Sequence, residues 1–231
     1  MVAASLRPAV PTALASTTAA ALLASIYLIF IWVPMEASMG PVQRIFYFHV
    51  SSAAIAFVGF FIGGGAAIAY LSNRASRLDD LSVACNEVGL LFAIVNLITG
   101  SLWAKPIWGV YWAWDARLTA MLLLALIYAA YLILRQSIAE PSQRATVCAV
   151  VSIFGMVDVP IVYMANRWWR TQHPAPVLGG DGSLDPRMTF VLFATMASLG
   201  LLFWCLVRQR RRLEALGRKT DALRREVQSL A

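Results

Sequence analysis

Residues 45–71 read IFYFHVSSAAIAFVGFFIGGGAAIAYL, a run with no Asp, Glu, Lys or Arg in it. A helix needs about 20 apolar residues to cross the hydrocarbon core of a bilayer, so this stretch is a transmembrane span. Working outward from it, five further runs qualify: Thr12–Val33, Leu81–Trp103, Leu118–Leu134, Ala145–Ala165 and Met188–Val207. The fold class expected is an all-α integral membrane protein, a bundle of six transmembrane helices. Composition agrees: of 231 residues, 60% are hydrophobic and 13% charged, and the mean hydropathy is +0.69. A soluble domain is about a quarter charged. Soluble enzymes, disordered tails and disulfide scaffolds are therefore excluded.

The net charge of +7 marks loops retained in the cytoplasm rather than a nucleic-acid surface. One side of the predicted topology carries Arg7, Arg74, Arg77, Arg135, Arg144 and eight more cations from Arg208 to Arg225, 13 altogether. The other carries six: Arg44, Lys105, Arg117, Arg167, Arg170 and Arg187. This bias places both termini in the cytoplasm. Thr12–Val33 outruns the 7–15 apolar residues of a signal peptide and is read as an uncleaved span. Cys85, Cys148 and Cys205 lie singly in apolar runs, without the clustering a zinc or thiol-redox site needs, and are read as core residues.

Three outer segments follow: Pro34–Arg44, Ala104–Arg117 and Asn166–Arg187. With their flanking helix ends they hold Trp32, Trp103, Trp108, Trp112, Trp114, Trp168 and Trp169, seven of the eight tryptophans, and both histidines, His49 and His173. An interfacial belt populates both faces; a one-sided cluster with the only imidazoles reads as a site. The richest stretch is Trp108-Gly-Val-Tyr-Trp112-Ala-Trp114-Asp115-Ala-Arg117-Leu-Thr119. If helical, it aligns Trp108, Tyr111, Trp112 and Asp115 on one face, a flat apolar shelf with an acidic edge. Two readings of the tryptophans stand at this point, a helix lying in the interface and a stacking platform for a flat ligand. Two imidazoles reaching such a platform from opposite sides can ligate haem iron while arginines pair with the propionates. Arg44, Lys105, Arg117, Arg167 and Arg170 are the candidates for that pairing.

The Trp108–Asp115 stretch resembles the "WWD" signature of the haem-handling superfamily. With six spans and one histidine on each side of the motif, the chain from Thr12 to Val207 is similar to the cytochrome c maturation protein C, or haem exporter protein C, family. The resemblance implies haem b held at the periplasmic face, with His49 and His173 as axial ligands and Trp108, Trp112, Trp114 and Asp115 as the platform. It also implies delivery to the haem chaperone CcmE, in company with the ABC transporter subunits CcmA and CcmB and the small membrane protein CcmD. The chain would then be a transfer scaffold rather than an enzyme. No Walker, HExxH or GxSxG motif appears, so any ATP hydrolysis belongs to a partner.

Two other functions are weighed. A cytochrome b-type electron-transfer subunit usually has four histidines at two depths, which two outer histidines do not match. A small-solute transporter binds at the midplane between repeats, and no inverted repeat is apparent.

Several residues remain outside this reading. Glu87 and Asp158 are intramembrane carboxylates, which are costly and often functional. Asp158, near Pro160, is placed to line the haem cavity or orient His173, and Glu87 to snorkel or pair with a basic residue. Gly59, Gly63, Gly64 and Gly65 permit close helix packing. The chain divides into a membrane domain, 1–207, with the motif at 108–119, and a basic amphipathic helical tail, 208–231. In the tail, Leu213, Leu216, Thr220, Leu223, Val227 and Leu230 follow a heptad, compatible with a helix on the anionic inner leaflet or with a helix contacting a partner.

Overall fold

The computed structural model describes residues 9–173 and 184–230. Arg7 and positions 174–183 of the third outer segment lie outside the described residues. Among the described residues, six helices are long and apolar enough to cross a membrane. They are α1 (Thr12–Tyr27, continued by a wider π turn, Leu28–Trp32), α2 (Ile45–Asn73, entered through a 3-10 turn, Pro41–Arg44), α3 (Ser76–Trp108), α4 (Ala116–Ser137), α5 (Pro141–Trp168) and α6 (Pro186–Leu230). The chain is thus an all-α, multi-pass membrane protein, as its apolar runs predict.

Local chemistry sets the helix ends. Asp115 caps α4, its Oδ1 accepting from the Leu118 amide at 2.8 Å. Glu140 caps α5, with Pro141 in the first helical position, where its missing N–H costs nothing. α3 closes at Gly109, whose φ of 77° is left-handed, a conformation glycine adopts without steric penalty.

The centre of the bundle is the α2–α3 pair, flanked by α5 and α6, with α4 against α5 and α1 along α6. Close approach explains the glycines. A Cβ on Gly59 would lie 3.2 Å from the Gly89 Cα, 3.2 Å from the Cys85 carbonyl oxygen and 2.9 Å from the Phe203 ring. Without a hydrophobic drive between helices in lipid, association relies on such packing. Around it, Phe60 stacks on Tyr128 with centroids 3.8 Å apart, and Cys85 and Cys148 are buried free thiols, as expected of core residues.

At the end of the bundle opposite the histidines, α6 continues without a break past Arg208. The expected tail is therefore the same helix as the last span. Ion pairs pin it: Arg210 Nε lies 2.6 Å from Glu87, Arg218 donates to Asp80 at 2.6 Å, and Glu214 lies 3.6 Å from Arg135. Arg135 is itself bidentate on Asp79, at 2.9 and 2.7 Å. Glu87 thus pairs with a basic residue, one of the two roles expected for it.

Replacing Gly59 with Leu should destabilise the bundle by about 1–3 kcal/mol through overpacking, because two of the three nearest atoms are backbone. Thermal unfolding in detergent reads this; an unchanged midpoint would mean that α2 and α3 do not touch there.

Candidate functional site

His49 lies just over one turn into α2, facing α3. Its Nδ1 is 3.1 Å from the Asn96 carbonyl oxygen and 3.3 Å from Thr99 Oγ1. Assigning the Nδ1 proton to the carbonyl bond leaves Nε2 with the lone pair, the arrangement second-shell partners impose on metal-binding imidazoles. The Asn96 side-chain amide donates back to the His49 carbonyl oxygen at 2.9 Å, and its nitrogen also lies 3.4 Å from Nε2. The ring fits because residue 100 is glycine: a Cβ there would lie 2.8 Å from His49 Cε1. Trp103 stands edge-on to the imidazole at 5.8 Å.

His173 arrives from a different direction. α5 ends at Trp168, and the next residues run back to the motif loop, where the Gln172 amide donates to Asp115 Oδ2 at 3.2 Å. The His173 ring is edge-on to Trp108 at 5.3 Å. Its Nδ1 is 3.9 Å from Asp115 Oδ2, too far for a hydrogen bond, and has no hydrogen-bond partner among the described residues. Burial, reinforced by the Arg117 guanidinium and opposed by Asp115, pushes the imidazole down to about 4. His173 is neutral at pH 7 and offers a lone pair.

Arg117, in the first turn of α4, joins the two. Its charge is within Coulombic range of His49 and His173, and among the described residues it forms no hydrogen bond or salt bridge. Four of the expected site residues, His173, Trp108, Asp115 and Arg117, therefore cluster with His49 at one end of the bundle. Three of the other four expected cations are engaged elsewhere. Arg44 packs over Phe30 at 5.8 Å, Lys105 donates to the Gly109 carbonyl at 2.8 Å beneath Tyr111, and Arg167 lies over Tyr163.

The motif differs from its helical reading. α3 stops at Trp108 and α4 starts at Ala116, so 109–115 form a non-helical loop. The causes are the left-handed Gly109 and the Asp115 cap, two breaks that the heptad-like spacing of the aromatics conceals. Trp112 and Trp114 consequently meet edge-on, 5.5 Å apart and 80° between planes, not as one flat shelf. Trp114 is 77% exposed, whereas Trp112 Nε1 is buried without a partner. Among the described residues the carboxylate beside His173 is Asp115 rather than Asp158, whose Oδ2 is buried without a described partner inside α5.

Sequence reasoning passed over Asn96, Thr99 and Gly100. Their signal was available: three small or polar residues at i, i+3 and i+4 of the third span, one face of a helix.

The fold and the site define a polytopic α-helical membrane protein with two imidazoles and a tryptophan loop gathered at one end of its bundle. Residues 2–226 match the sequence profile of the family described as CcmC, Heme exporter protein C. The chain is 35% identical over 202 residues to Heme exporter protein C of Bradyrhizobium diazoefficiens, covering 85% of this chain and 73% of that one. It is 30% identical over 201 residues to Heme exporter protein C of Haemophilus influenzae, covering 86% and 80%. The putative cytochrome c biosynthesis ccmC-like mitochondrial protein of Marchantia polymorpha is 30% identical over 174 residues, 74% of each chain. The protein belongs to the haem exporter protein C family.

Asp115 holds two amides at once, capping α4 and anchoring the His173 segment. Asp115→Ala should cost about 1 kcal/mol as a lost cap and speed hydrogen exchange at Leu118 and Gln172 together. Asp115→Asn should restore protection at Leu118; independent behaviour of the two amides in Asp115→Ala would refute the shared anchor.

Proposed function

We propose that this chain holds haem, as cargo, between His49 and His173 at the periplasmic end of the bundle and presents it to a haem chaperone. Family membership supports a role in haem export and cytochrome c biogenesis. The observation that carries the finer reading is the convergence of two histidines, one on α2 and one on the segment that follows α5, on one half-buried arginine, Arg117.

The residues fit the group chemically. Imidazole Nε2 of His49 is left as a ligand by the Nδ1 bond to Asn96, and His173 is neutral. Arg117, unpaired among the described residues, is the cation for a propionate, with Arg44 the more remote candidate. Trp108, Trp112, Trp114 and Tyr111 supply aromatic surface around the ligands, while Asp115 fixes the loop that bears His173. Haem b supplies the iron, and its propionates define which way round it binds.

Such a site binds and orients without making bonds of its own, so the chain is a transfer scaffold. The exposed Trp114 is the point from which a docked chaperone reaches the cargo. In this reading the chaperone is CcmE, CcmA and CcmB form the ABC transporter that uses ATP, and CcmD completes the complex in the inner membrane, with both termini of the chain cytoplasmic.

Purified with haem, the protein should show a low-spin, six-coordinate spectrum. His49→Ala or His173→Ala should convert that spectrum or lose haem, and a double variant that keeps a bis-imidazole spectrum would overturn the ligand assignment. Stacking on one aromatic ring contributes ~1–3 kcal/mol for a nucleic-acid base, a scale that transfers to a porphyrin. Trp112→Ala should therefore weaken haem binding roughly ten- to hundredfold with the low-spin spectrum unchanged. Wild-type haem content and transfer in both Trp112→Ala and Trp114→Ala would reduce the loop to an interfacial anchor.

A further inference from the structure

The cytoplasmic half of α6 has two faces with different fates. Arg210, Glu214 and Arg218 recur every four residues and hold the helix to α3 and α4. At 100° per residue the seam Leu213, Leu216, Thr220, Leu223, Val227 lies roughly 140° around the helix from them. Its apolar members are turned to solvent: Leu213 is 52% exposed, Leu216 40%, Leu223 62% and Val227 66%. An exposed apolar seam at alternating three- and four-residue spacing is half of a coiled coil.

Three observations choose its occupant. First, α6 is unbroken from Pro186 to Leu230. Residues 208–230 add roughly 34 Å of helix beyond the span, and the ion-paired clamp fixes their root, so the seam is carried off the bilayer rather than along it. Second, the flanks are basic. With Leu213 at a heptad a position, Arg212 and Lys219 fall at g and Arg224 at e, against one acid, Glu226 at g, and an uncharged Gly217 at e. Third, two copies of this chain in one membrane would present parallel tails. Parallel pairing sets each g residue against the following e residue of its partner, which places Lys219 against Arg224 and repels.

We infer that the distal α6 seam docks an amphipathic helix of another protein, one that carries leucine-type residues on its contact face and glutamates or aspartates along its flanks. The partner's acidic flanks neutralise Lys219 and Arg224, while its apolar face covers Leu216, Leu223 and Val227. The clamp at Arg210, Glu214 and Arg218 transmits the docked position to the inner ends of α3 and α4.

The test uses the full chain in neutral phosphatidylcholine nanodiscs and a labelled four-heptad peptide with Leu at a and d and Glu at e and g. Saturable binding that weakens with salt is expected, and Leu223→Asp should weaken it at least tenfold at unchanged helicity by circular dichroism. Lys219→Glu with Arg224→Glu should transfer the preference to a peptide flanked by Lys. The inference fails if the chain does not bind the Glu peptide or binds both peptides equally. It also fails if sedimentation shows a dimer that Leu223→Asp dissolves. Finally, it fails if anionic phosphatidylglycerol alone protects amides 213–227 from exchange, because the seam would then be lying on the membrane.

Discussion

The close contact of α2 with α3 governs this molecule from end to end. It runs from Gly63, where a Cβ would collide with the Asn86 amide, through the Gly59–Gly89 crossing, to Gly100, where it would collide with His49. Each position lacks a side chain because the facing helix occupies that space. The lower crossings decide how close the helices come. That distance in turn lets the Asn96 carbonyl reach His49 Nδ1 at 3.1 Å. The orientation of the outer imidazole is therefore a consequence of packing deeper in the bilayer. In lipid, where association depends on van der Waals fit and buried hydrogen bonds, the two cannot be tuned separately.

The spans were legible because a bilayer imposes a length and a polarity that any helix crossing it must show. The cluster of His173 and Trp108 was legible because histidine and tryptophan are rare and gather on one side of the chain, and Asp115 because it closes the tryptophan stretch. What was hidden depends on tertiary partners. Asn96 is an unremarked amide in an apolar run until His49 is placed opposite it. The loop at 109–115 was hidden by competition between two signals, aromatic periodicity and helix punctuation, and the punctuation of Gly109 and Asp115 prevailed. The continuity of α6 was masked because a block of arginines reads as the edge of a span. Arg, Leu, Glu and Ala are nonetheless good helix formers, and the acids of α3 meet those arginines in register.

The two ends of the bundle treat charge in opposite ways. At the α6 end, Arg135 with Asp79, Arg210 with Glu87 and Arg218 with Asp80 satisfy one another. Bidentate and charge-assisted bonds of this kind fix geometry as well as adding energy. At the histidine end, Arg117 pairs with no carboxylate among the described residues, and Asp115 nearby is engaged by two backbone amides. Exchanging these roles would leave a mobile root for α6 and a self-neutralised outer site.

Asp115 shows why that division matters. Were its carboxylate turned to Arg117, the guanidinium would be paired and the His173 segment would lose its tether. Because Oδ1 caps α4 and Oδ2 accepts from Gln172, one side chain builds the helix that carries Arg117 and anchors the strand of chain that carries His173. The acidic residue of the motif thus acts through the backbone. It leaves the Arg117 guanidinium and the His173 imidazole without a hydrogen bond to it, and it tethers the segment that sets the His173 ring edge-on to Trp108.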